Sequence, residues 1–196
     1  KTMSKKIFPL KEVGEVYNAN FINVKIDMEK GEGKELAKKY KVRAYPTFLF
    51  VNGDGELVHR GVGGRPAVAF IALGEAASDP TTQLMSLEQQ YNKGERGGEF
   101  MTRYIAALQD GGMDVAKVSN EYLATLKSYD DKEIMSFIYE TTSKPTQKGF
   151  AIMTKNLDSY YKEFGKDKVQ TRIDFALQRE YFNDLDKMAS YYKRIF

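Results

Sequence analysis

The stretch KVRAYPTFLFVNGDGELVHRGVGG, Lys41 to Gly64, decides how the chain is read. Proline has no N–H to give a strand ladder, so it is tolerated at a strand's first residue, at an edge or at a bulge. Pro46 stands at the head of such a run. Phe48-Leu49-Phe50-Val51 is continuously apolar and predicts a strand covered on both faces. Asn52-Gly53-Asp54-Gly55 then supplies residues that tolerate positive φ in a tight turn, and Glu56 to Val62 returns as the second strand of a hairpin.

Working outward, the residues before the hairpin alternate between helix and strand signals. Lys11 to Tyr17 reads as a short helix after Pro9, and Phe21 to Asp27 alternates apolar and polar with β-branched residues, which predicts a strand. A loop rich in Gly and Glu leads to a helix over Lys34 to Tyr40. Pro66 to Ala77 forms a closing helix with proline at its first turn. From Pro80 onward every apolar pattern has helical spacing, as in Leu84, Leu87 and Tyr91, or Val169, Ile173 and Leu177. The patterns predict about seven helices, with breaks at Gly97-Gly98, Gly111-Gly112, Asp130-Asp131, Lys144-Pro145, Gly165 and Asn183. The change of pattern divides the chain into domains 1–79 and 80–196. The tyrosine-rich faces of the second read as core or helix-pair surface, with a weak likeness to helical-repeat pairs; the tetratricopeptide signature is not met.

Composition narrows the classes of function. The 196 residues are 42% hydrophobic and 13% aromatic, ample for a packed core, and no apolar run is long enough to span a membrane. Charge is interleaved: 13 basic and 10 acidic residues through Asp79, and 17 of each beyond it. A nucleic-acid reader concentrates its cations on one face, so nucleic acid is not an expected partner. With no cysteine, these residues make no disulfide, no thiolate–metal site and no cysteine nucleophile.

NANFINVKIDMEKGEGKELAKKYKVRAYPTFLFVNGDGELVHRGVGG resembles the second half of a thioredoxin-fold domain, of the bacterial branch whose strand ends in DMEKGEG and whose later loop reads V-x-A-Y-P-T. Strand, helix, Tyr-Pro-Thr turn, hairpin and the glycine before the last helix appear in that family's order, from Lys1 to about Ala77. The resemblance implies an α/β thioredoxin-like domain followed by an all-α domain. It implies a cis bond at Tyr45-Pro46, with Tyr45, Pro46 and Gly63 holding the backbone of an extended substrate. It also implies protein partners carrying disulfides or thiols, no cofactor, and a periplasmic or cell-envelope setting, although the residues themselves leave the compartment open.

The departure from the family is a second expectation. In thioredoxins a Cys-x-x-Cys pair opens a helix, where the dipole lowers the nucleophile's pKa. Lys1-Thr2-Met3 resembles the residues just after that pair, so the thioredoxin-like domain is expected to be N-terminally incomplete: the pair and the first strands would lie upstream. One of those strands would separate Phe21–Asp27 from Thr47–Val51, and a compact fold would need an added strand in that slot. The parent protein is then a thiol-disulfide oxidoreductase, and residues 1–196 carry no catalytic residue of their own. The alternative is a redox-inactive thioredoxin-fold adaptor with a helical interaction domain.

Three further features read as structural. Asp27, Glu29 and Glu32 lack the ligand spacing of a calcium loop and read as a solvated acidic loop, so no metal ligand is expected. The sole histidine, His59, has no nucleophile or carboxylate pair at motif spacing and reads as an exposed strand residue. Gly61-x-Gly63-Gly64 precedes a helix but lacks a phosphate-loop pattern, and reads as turn and bulge.

Overall fold

A computed structural model of the chain describes residues 2–196. The chain divides into two compact units, one reaching Met113 and the other running from Asp114 to Phe196.

The first unit opens with a π-helical turn, Met3–Ile7. It is followed by α1 (Lys11–Asn20), α2 (Gly33–Lys39), β1 (Thr47–Val51), β2 (Leu57–Val62), α3 (Ala67–Ser78), α4 (Leu84–Asn92) and α5 (Gly98–Asp110). Strands β1 and β2 form an antiparallel hairpin with Phe50 opposite His59 and Phe48 opposite Gly61, and a bulge at Phe50/Val51. Asn52 organises the turn: its side-chain oxygen accepts from the N–H groups of Asp54 and Glu56. Pro66 precedes α3 in extended conformation, where its missing N–H costs nothing.

Because residues directly opposite in an antiparallel pair share a face, Phe48, Phe50, His59 and Gly61 point the same way. That face meets α3 and α1. Tyr17 of α1 stacks on Phe70 of α3 with ring centroids 4.2 Å apart, and its hydroxyl donates to the Phe70 carbonyl at 2.8 Å. Phe48 and Phe50 pack beside these rings, and Met3, Val13, Leu73 and Ala77 complete the core. Burial raises the Tyr17 hydroxyl pKa well above its ordinary value, with Asp110 adding to the shift and Arg65 opposing it.

Two strand expectations give way to the packing. Burial on both faces belongs to β2, not β1: His59, Arg60 and Gly61 are consecutive and all buried, whereas only Phe50 of β1 is. The cause is that α3, α4 and α5 all pack on β2. Phe21–Asp27 is not a strand. Among the described residues its backbone joins no sheet and residues 22–26 make no backbone–backbone hydrogen bond, and Ile22, Val24 and Ile26 project into solvent. The period-two pattern is there, but no neighbouring strand pairs with it, and β1 itself pairs only with β2 among the described residues.

The second unit is helical throughout: α6 (Ala116–Thr125), α7 (Lys132–Thr141), α8 (Lys148–Lys155), α9 (Leu157–Phe164), α10 (Lys166–Tyr181) and α11 (Leu185–Ile195). With α4 and α5, the described helices after residue 80 number eight rather than about seven, because Asn156 divides one apolar stretch into α8 and α9. The breaks are chemically ordinary. Asp131 caps α7 by accepting from the N–H groups of Glu133 and Ile134, Gly165 separates α9 from α10 at φ 90°, and Asp184 caps α11 by accepting from the Lys187 N–H. Ile138, Met153, Val169, Ile173, Ala176 and Leu177 are fully enclosed and form the core of this unit.

The sequence pattern changes at residue 79, while the compact units divide at Met113. Helices α4 and α5 are helical in pattern like the C-terminal part, but their apolar faces are spent on β2.

Candidate functional site

Tyr45 and Pro46 lie between α2 and β1, joined by a cis peptide bond. Two hydrogen bonds hold the loop: Thr47 Oγ1 donates to the Ala44 carbonyl at 2.7 Å, and the Gly63 N–H donates to the Pro46 carbonyl at 2.8 Å. Gly63 adopts φ 92°, a conformation that a residue with a Cβ rarely takes, so the chain bends just past the end of β2 where the Gly63 N–H meets Pro46. The structure therefore brings Pro46 and Gly63 together. Tyr45 is left outward, with 59% of its surface exposed. Neither its N–H nor its C=O makes a hydrogen bond among the described residues.

Arg65, two residues past Gly63, braces this bend. Its Nη2 donates to the Val62 carbonyl at 3.1 Å, and its Nη1 lies 3.0 Å from Asp110 on α5. Its backbone N–H donates to the sulfur of Met3 at 3.4 Å, so the opening helical turn begins against the Gly63–Arg65 bend. The start of that turn, the Tyr45–Pro46 loop and the Gly63 bend thus form one corner of the unit. Lys1, where the likeness to the thioredoxin family begins, lies outside the described residues.

His59 departs from the sequence expectation. It is 3% exposed, not a surface residue, because α4 lies over its face of the hairpin and the Leu84 N–H donates to its Nδ1 at 3.1 Å. Burial lowers its pKa below the ordinary 6.5, with Asp110 opposing the shift and Arg65 adding to it. The signal was present in the hairpin register, which sets His59 opposite Phe50. Nothing local in the sequence announces that α4 covers it. Arg60 faces the other way; its Nη1 donates to the carbonyl of Tyr40 at the end of α2, 3.2 Å away, and it packs against Gly111. Met3, Arg65 and Asp110 were missed as well, since 45 residues separate the ion pair's partners.

The acidic loop stays open: Asp27, Glu29 and Glu32 are exposed, and Asp27 accepts from the Glu29 N–H. Among the described residues no helix is long and apolar enough to cross a membrane.

The order of these elements has a counterpart among known families. Residues 1–78 match the family description of a thioredoxin-like domain, and the N-terminal part of this chain is such a domain. A mostly helical remainder comes after it. No curated protein and no solved structure matches the chain.

Proposed function

We propose that the corner formed by Tyr45, Pro46 and Gly63 holds an extended segment of a protein substrate, and that the protein, in a form carrying a Cys-x-x-Cys ahead of Lys1, is a thiol-disulfide oxidoreductase. The observation that carries this reading is the unpaired backbone of the exposed Tyr45, a donor and an acceptor left open beside the start of the opening helical turn. Such a pair of groups matches one rung of a β-ladder, the mode by which extended peptides are captured.

In the reaction, one thiolate of the pair attacks a substrate sulfur and releases the other substrate sulfur as a thiolate. The second thiolate then resolves the mixed disulfide, so the substrate gains two electrons and the pair ends as a disulfide. The described residues supply positioning only. The same reading gives the unpaired segment Phe21–Asp27 a partner, because an extended strand between it and β1 would satisfy backbone groups on both sides. The helical remainder, in which sequence neighbours pack on one another, is read as the part that docks protein partners.

The lack of any cysteine in residues 1–196 favours a second reading, a redox-inactive adaptor that uses the same loop for binding alone. The test is the chain as its source organism makes it, isolated with its thiols trapped by acid and alkylation and then mass-analysed. A cysteine pair ahead of Lys1, with turnover of insulin disulfides at the expense of dithiothreitol, supports the oxidoreductase. No such pair, but saturable binding of alkylated insulin B chain that perturbs Tyr45, supports the adaptor. Neither turnover nor binding would overturn both.

A further inference from the structure

Helices α3 and α5 leave a cleft of about 400 Å³ within the first unit, at the small end of the roughly 300–1,000 Å³ typical of ligand pockets. Its walls are short side chains: Ala69, Ala72 and Ala76 on α3 face Ala106 and Ala107 on α5. Leu73 and Leu87 add apolar surface, and methyl groups alone do not fill the gap.

The polar groups of the cleft are unevenly matched. The Nδ1 of His59 is occupied as an acceptor, so the neutral ring carries its proton on Nε2, and that N–H has no partner among the described residues. Arg65 is engaged by Asp110 and by the Val62 carbonyl, yet its buried Nε has no partner among the described residues. Arg103, about half exposed, has among the described residues only a 4.0 Å ion-pair contact, with the exposed Glu99. Against these donors stands one carboxylate, Asp110, already held by Arg65. The lining therefore carries one cation in excess and donor groups without acceptors. Of these donors the Arg65 Nε is the one buried without a partner, whereas the His59 ring and Arg103 line the cleft, where an acceptor supplied from outside would meet them.

We propose that this cleft is a binding site for a small monocarboxylate with an apolar body, its carboxylate accepting from His59 Nε2 and Arg103 and its apolar part lying along the alanine walls. A single excess cation matches a monoanion, and the methyl-lined walls favour a hydrocarbon over a second polar group. The cleft contains none of Tyr45, Pro46 and Gly63, although Arg65 and Asp110 line it and also brace the Gly63 bend, and it stands whether or not that corner binds peptide.

His59 is the chain's only histidine, so its ring signals can be followed without ambiguity by NMR in the 196-residue protein. Titration with sodium hexanoate should move them saturably, whereas hexylamine should not and hexanol should bind more weakly. Arg103→Gln should weaken hexanoate binding by about tenfold, the loss expected of one charge-assisted hydrogen bond. Ala72→Leu, which fills the cleft from α3, should abolish binding. Both positions are solvent-accessible, so an unchanged circular dichroism spectrum is expected for each variant. No saturable shift with hexanoate, equal affinity for hexylamine, or full affinity in Arg103→Gln would overturn the proposal.

Discussion

Replacing Ile22, Val24 and Ile26 together by threonine tests most directly that Phe21–Asp27 is an uncovered segment. Threonine keeps the β-branched shape and strand preference of the originals while removing most of their apolar surface. Were the segment a covered strand, burial of each side chain would contribute about 1.5–3 kcal/mol, and the triple variant would lose several times that of a single one. In the structure Ile22 is 96%, Val24 77% and Ile26 44% exposed, so little apolar surface is withdrawn from water and the expected total loss is below about 1 kcal/mol. The assay is urea denaturation of the 196-residue chain, reading midpoint and m-value at two protein concentrations. A loss of several kcal/mol at both concentrations would refute the reasoning, because it would mean that the chain's own fold covers the segment. A large loss only at the higher concentration would show instead that a second molecule covers it.

Three other outcomes are expected. A Cβ at Gly149, in the buried start of α8, would run into Thr142 Oγ1 and come within 3.3 Å of Ile138; overpacking near the top of the ~1–3 kcal/mol range outweighs the ~1 kcal/mol that helix propensity returns to alanine, so Gly149→Ala should lower the unfolding midpoint. Thr142 Oγ1 has no hydrogen-bond partner among the described residues, so adding Thr142→Ala should restore part of the loss, and a Gly149→Ala variant as stable as the parent would contradict the packing. His59 has a folded-state pKa below 6.5, so below that pH the unfolded chain binds the extra proton; stability should fall as pH drops from 6.5 toward the folded value and should be insensitive to this group above it. His59→Gln should flatten that part of the profile in urea midpoints, and an unchanged slope would rule out a buried neutral ring. Finally, residues 114–196 expressed alone should melt cooperatively with a helical spectrum, whereas 80–196 should not give a single clean transition, since α4 and α5 would be parted from β2. A non-cooperative melt of 114–196 would contradict its independence as a unit.

The amino-acid sequence alone determined whatever depends on near neighbours. Pro46 at a strand head, the Asn52–Gly55 turn, Pro66 before α3 and the aspartates and glycines between the later helices each act within a few residues, and the observed elements start and stop beside them. The likeness of residues 1–78 to a thioredoxin-like domain was legible for the same reason, being an order of such local signals. What only the tertiary structure decided is where the faces go. Alternation at Phe21–Asp27 states that one face could be buried but not that a partner exists to bury it, and among the described residues none pairs with it. His59 and Arg60 look like ordinary polar strand residues until α4, α2 and the end of α5 close over the two faces of β2. The Arg65–Asp110 pair and the alanine cleft arise from residues far apart in the chain. Burial and ion pairing are properties of packed surfaces, and no spacing along the chain encodes which surfaces meet.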